Sequence, residues 1–162
     1  MHPFARPAVF AALLVLAGVA AAFVPESQKA IAVIVSPQHP GALKLADVAL
    51  IFRRKKLFWN EGTRVAPVNL QASHPLRQTF SRVVLGSPPE ELERYWNDMY
   101  FHGISPPFVL ASEEAVLRFV AQTPGAIGYV SYCDVDARVK IALVITANGP
   151  VSEDSARAGC SR

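Results

Sequence analysis

Two kinds of apolar pattern alternate along the chain, unbroken β-branched runs and runs with helical spacing. Ala30-Ile31-Ala32-Val33-Ile34-Val35 is continuous and rich in β-branched side chains, the pattern of a central strand buried on both faces. Ser36 to Gly41 is a loop by composition. Leu45, Val48, Ile51 and Phe52 then recur at helical spacing, Lys55 to Gly62 forms a basic and aromatic connection, and Arg64 to Val68 reads as a short strand. Pro75 to Leu85 is a helix with Leu76, Phe80, Val83 and Val84 on one face and Gly86 as its stop.

Ser87-Pro88-Pro89-Glu90 fits a capping box, and Leu92, Tyr95, Trp96 and Met99 follow it at i, i+3, i+4, i+7, which makes this the best-marked helix of the chain. After a loop over Gly103 to Pro107, Ser112 caps a further helix that buries Val116, Leu117 and Val120. Gly125 and Gly128 bracket a short apolar run and read as a helix stop, a turn and a buried strand. Ala126 to Val130 and Val139 to Ile145 are the last strands, and residues 148–162 form a polar, frayed tail. Helices separating most strands predict a single layered α/β domain with a mostly parallel or mixed central sheet flanked by helices.

Composition adds a compartment. The chain has 162 residues, 51% of them hydrophobic, which suits one domain with a sizeable core and argues against disorder. Its first two dozen residues differ from the rest: Arg6 precedes an uncharged apolar run from Ala8 to Val24 that contains Ala20-Ala21-Ala22. This is the layout of a secretory signal peptide over residues 1–22, with the domain over 23–147; the other reading is an uncleaved membrane anchor. No lipobox cysteine is present. Export permits a disulfide, and Cys133 and Cys160 are the two cysteines, although Cys160 falls in the polar tail and the pairing stays open. The absence of CxxC excludes thioredoxin-like chemistry. The net charge is +3, and its one basic cluster, Arg53-Arg54-Lys55-Lys56, reads as a solvated helix end, so no nucleic-acid partner is expected.

The most site-like segment is Asn69 to Arg77, which leaves a strand and enters a helix. Ser73 is placed as N-cap and Pro75 in the first turn. Free backbone N–H groups and the helix dipole make such a junction attractive to anions, and the Ser73 hydroxyl and Arg77 guanidinium could add directed bonds. Taken alone, ordinary capping explains the same residues. His39, His74 and His102 are scattered, so no metal site is expected. Asp134 and Asp136 suit a turn, and Glu90, Glu91 and Glu93 suit a helix start. No G-x-S-x-G or P-loop occurs. Catalytic residues and cofactors are therefore not expected, and Trp59 and Trp96 read as packing groups.

The ordered set Ile51-Phe52-x-x-Lys55, Trp59-Asn60-x-Gly62 and Pro124-Gly125-Ala126-Ile127-Gly128-Tyr129-Val130 resembles the phosphate-type periplasmic substrate-binding proteins of ABC transporters, above all their short single-domain members. The match runs from Ala30 to Ile145. It implies the architecture of one lobe of a type II periplasmic binding protein. It also implies an exported, periplasmic, non-catalytic solute-binding protein for phosphate or a similar oxyanion, tied to ABC-type uptake through a transporter permease or an envelope receptor and not embedded in the membrane after signal cleavage. In that family the strand-to-helix junction carries an arginine and an S-G-T-like turn that wraps the oxyanion. Ser73 matches the serine, His74 and Pro75 stand where the glycine and threonine would be, and Arg77 is the stand-in for an arginine that does not precede them. The resemblance thus implies Ser73, the backbone at His74, and Arg77 as ligand residues, with Ser36 and Gly125 lining the same rim at the carboxyl ends of the strands. A one-lobed binder holds its anion on an open surface, so weaker binding than in the full-length family is expected. Ser36 to Pro40 lacks the family's threonine- and serine-rich first loop. That departure and the missing arginine carry the second reading, a truncated lobe serving as an envelope interaction or sensory module, with an exposed apolar patch around Phe52, Phe58 and Trp59.

Overall fold

Ile31 to Val35 (β1) are buried along their whole length, because this strand is paired on both edges and covered on both faces. The computed structural model describes residues 29–160, so the expected signal peptide lies outside the described residues. The remaining elements are α1 (Leu45–Phe52), β2 (Ala66–Leu70), α2 (Pro75–Leu85), α3 (Glu93–Phe101), β3 (Phe108–Leu110), α4 (Glu113–Gln122), β4 (Ala126–Ser131), β5 (Lys140–Thr146), β6 (Gly149–Pro150) and α5 (Glu153–Ala158), with 3₁₀ turns at Pro89–Leu92 and Tyr132–Asp134. No helix among the described residues is long and apolar enough to cross a membrane.

The sheet has six strands in the order β3-β2-β4-β1-β5-β6. β1 runs antiparallel to both β4 and β5, whereas β2 runs parallel to β4 and β3. The sheet is therefore mixed, within the expected class. The register fixes the ends: Val35 lies opposite Ile127 and Ile31 opposite Ser131, and Ala66 pairs with Ala126. The exit of β1 consequently lies at the entrance of β2 and β4, and the exits of β2 and β4 lie together at the opposite end.

Helix α2 packs on the sheet through an aromatic cluster in which Phe52, Phe80 and Tyr129 are all fully buried. Phe80 stacks on Tyr129 and meets Phe52 edge-on, with centroids 4.7 Å apart. Gly128 lets α4 approach β4: a Cβ there would lie 2.5 Å from Val116 Cγ1 and 3.0 Å from Val68 Cγ2. Gly125 holds a positive φ of 78°, and a Cβ there would meet the Arg64 carbonyl at 2.3 Å. The glycine-bracketed motif is thus a packing device.

Three expectations are corrected and one strand is added. β2 begins at Ala66, two residues later than expected, because Arg64 makes an isolated bridge to Phe58 instead. Ser87 forms no capping box: Pro88 precedes a 3₁₀ turn without side-chain capping, and Glu90 Oε1 accepts from Gln78 Nε2 at 2.6 Å. Helix α3 then starts at Glu93 and contributes no fully buried residue. Phe108–Leu110 adds an edge strand between the expected loop and the Ser112 cap. The tail is ordered through Cys160, since β6 pairs with β5, α5 buries Ala156, and Cys160 joins Cys133 in a disulfide.

Candidate functional site

At the exit of β2, Ala72 and Ser73 form an exposed turn before α2. Gln78 Nε2 donates to the Ala72 carbonyl at 2.9 Å and ties the turn down. The amides of Ala72 and Ser73 and the Ser73 hydroxyl make no hydrogen bond among the described residues. All three donors belong to exposed residues, as an anion-binding turn requires.

His74, not Ser73, caps α2. Its backbone is extended, and Nδ1 accepts from the Leu76 amide at 3.3 Å. The His74 amide is itself bonded to the Gln71 carbonyl at 3.0 Å, so the expected backbone donor at His74 is already engaged. With Nδ1 accepting, the neutral ring carries its proton on Nε2, 3.8 Å from Glu113 Oε1. Glu113 opens α4, and its other oxygen accepts from the Ser131 amide at 2.6 Å. A cleft of about 640 Å³ lies beside these groups, bordered by Lys29, His74, Glu113, Ser131 and Cys133.

Arg77 turns inward from the first turns of α2 and is only 7% exposed. Its Nε and Nη1 have no hydrogen-bond partner, and no carboxylate lies within ion-pair distance among the described residues. Burial lowers its pKa, while Tyr129 and Glu90 act in the opposite direction. Beside it, the Tyr129 hydroxyl donates to Asn69 Oδ1 and accepts from the Leu70 amide, both at 3.3 Å. Asn69 opens the segment read as site-like but was given no role there, and Tyr129, Lys29 and Glu113 were not among the expected site residues. Arg77, Phe80, Ser81 and Val84 share one helical face by spacing and are all buried, the signal that Arg77 points into the core.

Ser36 and Gly125 do not share this rim. They lie at the other end of the sheet, where both border a cleft of about 300 Å³ with His39, Trp59 and Glu61. Ser36 is buried and bonds Gln38. The Gly125 carbonyl accepts from the Ala66 amide and from Trp59 Nε1, each at 3.0 Å. Antiparallel pairing of β1 with β4 sends the exit of β1, and Ser36 with it, away from the exits of β2 and β4, whereas Gly125 lies at the same end as Ser36 because it enters β4 instead of leaving it. His39 leans on Trp59, with centroids 4.2 Å apart, and burial lowers its pKa.

The expected apolar patch also dissolves, because Phe52 and Trp59 are core residues and only Phe58 is exposed. The exposed aromatics are instead Tyr100, Phe101 and Phe108. The basic cluster is not merely solvated: Arg53 Nη2 donates to the Leu85 carbonyl at 2.6 Å and Lys56 pairs with Asp47 at 3.1 Å. Among the described residues, no group of three or more His, Cys, Asp or Glu is placed to hold a metal ion.

No protein-family model matches the chain, and no curated protein matches it. Solved structures do. An ABC-type phosphate transport receptor from Vibrio cholerae matches at 19% identity and a TM-score of 0.58, over 72% of this chain and 47% of its own. A phosphate-bound putative phosphate ABC transporter substrate-binding protein from Clostridium perfringens matches at 22% identity and 0.60, over 73% and 46%. A possible phosphate-binding protein from Planctomyces limnophilus matches at 12% identity and 0.57, over 82% and 49%. The chain spans about half the length of each structure it matches. It shares the fold of about half of each of these structures, the one-lobe architecture that the sequence resemblance implied.

Proposed function

We propose that this chain binds phosphate, or an oxyanion of its shape, at the turn between β2 and α2. The observation that carries the reading is Arg77, a buried guanidinium with two unpartnered nitrogens on the helix that follows a turn whose Ser73 hydroxyl and Ala72 and Ser73 amides are free. A buried cation without a counter-charge is strongly unfavourable, and an anion seated over the turn relieves it. The solved structures with this fold are named for phosphate, which supports the choice of anion. Ser73 and Arg77 are the ligand residues of this proposal. His74 acts as a cap that holds the turn, and Ser36 and Gly125 have no part in it because they lie at the far end of the sheet.

The turn is open to solvent, so the bound charge is well screened and the affinity is modest. Export to the periplasm and service to an ABC-type importer, as a non-catalytic solute-binding protein, complete the reading. Calorimetric titration of phosphate into protein purified free of phosphate tests it. Saturable heat with a micromolar-to-millimolar Kd, weakened roughly tenfold or more in Ser73→Ala by loss of a charge-assisted hydrogen bond, is the expected result. A folded sample that gives no heat up to millimolar phosphate overturns it.

A further inference from the structure

A third cleft, of about 480 Å³, lies at the entrance of β2 between Arg54, Arg64 and the loop ahead of β3. The length of β2, roughly 13 Å at about 3.3 Å per residue, separates it from the turn at Ser73. Its wall is apolar, with Pro106, Pro107, Phe108 and Phe119 prominent, and no acidic side chain borders it. Neither arginine forms an ion pair among the described residues. Arg54 Nε is buried without a partner, and burial together with the neighbouring Arg64 charge lowers the Arg54 pKa.

The backbone at Arg54 adds a second observation. Helix α1 ends with the Lys55 amide bonded to the Leu50 carbonyl at 2.8 Å, and Arg54 occupies the left-handed position at φ 59°. Glycine is the residue usually found there, because any side chain is strained. Among the described residues Arg54 is the only non-glycine with positive φ. Strain of this kind persists where the surrounding structure enforces it, and it clusters at ligand-binding sites. Here it sets a guanidinium against another guanidinium at the mouth of an apolar cleft.

We propose that this cleft binds an organic monocarboxylate with an apolar body, the carboxylate between Arg54 and Arg64 and the body against Pro106, Pro107, Phe108 and Phe119. Two unneutralised guanidiniums supply planar donors suited to a carboxylate. The volume falls in the range of small-molecule sites. The occupant is a small amphiphile and not inorganic phosphate, because an all-polar anion leaves the proline and phenylalanine wall wet.

The test titrates 4-phenylbutyrate into the protein by amide NMR, with 4-phenylbutanol as the uncharged counterpart. Saturable shifts at Phe108, Phe119 and Arg54, at least tenfold weaker for the alcohol, are expected. Arg54→Gly removes the guanidinium and the strain together, so it should raise Tm or leave it unchanged while weakening 4-phenylbutyrate at least tenfold. Phosphate binding at the Ser73 turn should persist in that variant, which separates the two sites. Equal affinity for acid and alcohol, undiminished binding in Arg54→Gly, or shifts confined to the Ser73 turn would each overturn the proposal. So would response to an acidic peptide with none to the small carboxylate.

Discussion

Tyr129 lies face to face with Phe80, ring centroids 3.9 Å apart and planes within 7° of parallel. The side chain that anchors α2 on the sheet thus also directs its hydroxyl to Asn69 and Leu70 at the exit of β2. Burial pushes the Tyr129 pKa up from 10.0 to about 12, with the Arg77 charge pulling the other way. A folded value above the unfolded one means that the native state holds the proton more tightly. Its contribution is complete below pH 10 and declines as pH rises toward about 12, an effect of roughly 3 kcal/mol for a two-unit shift. The phenolate absorbance that Tyr129→Phe removes should belong to a group titrating well above pH 10, and the variant should flatten the alkaline loss of stability. If the absorbance it removes is centred near pH 10, with the fold intact, this environment is contradicted.

The Cys133–Cys160 bond spans 27 residues and ties α5 to the turn after β4. Closing a loop of that length stabilises by about 3–4 kcal/mol in the chain-entropy model. Reduction should lower the denaturant midpoint accordingly and expose the amides of α5 to hydrogen exchange before those of β1. Equal protection of α5 in oxidised and reduced protein would show that the helix docks without the bond.

Gly128 faces Val116 at a distance that leaves no room for a methyl group. Gly128→Ala should therefore push α4 from β4 and destabilise by about 1–3 kcal/mol, as overpacking does. Chemical denaturation measures this, and Gly128→Ala with Val116→Ala should recover part of the loss. An unchanged midpoint in the single variant would refute the close approach.

Arg77→Met should have the opposite sign. It keeps much of the buried stem and removes a guanidinium whose Nε and Nη1 are unpartnered. Replacing an uncompensated buried charge by an apolar group of similar shape is expected to stabilise by about 1–4 kcal/mol. The same variant should lose phosphate binding, a combination that distinguishes a functional cation from a structural one. Destabilisation would mean that the guanidinium supports the core.

Most of the fold was legible because its signals are local. The β-branched run fixed β1, and Pro75 and Gly86 mark both ends of α2, where Gly86 takes φ 73°. Ser112 caps α4 as read, accepting from the Ala115 amide at 3.2 Å. Misreadings arose where a tertiary contact outbid the local pattern. Glu90 bonds Gln78 instead of Ser87, and Tyr95 donates to the Arg53 carbonyl and meets Trp96 edge-on instead of entering the core. The three residues of β3 follow two prolines and gain their strand character only from β2. Val151, Ala156 and Cys160, the apolar and sulfur residues of the tail, were its unread signals, since each packs on the core. The candidate site was legible as a segment, but its direction was not. Spacing cannot tell which of Ser73 and His74 caps the helix, nor that antiparallel pairing of β1 carries Ser36 to the end where Gly125 enters β4.

Phosphate bound at the turn should reach the Arg77 guanidinium, and the Arg77 Nε–H resonance is the probe of that meeting. This proton has no acceptor among the described residues. A phosphate titration followed by Arg side-chain NMR should shift it downfield and slow its exchange, saturating together with the amides of Ala72 and Ser73. An Arg77 Nε–H that stays in place up to millimolar phosphate, in a folded sample, would contradict the central claim.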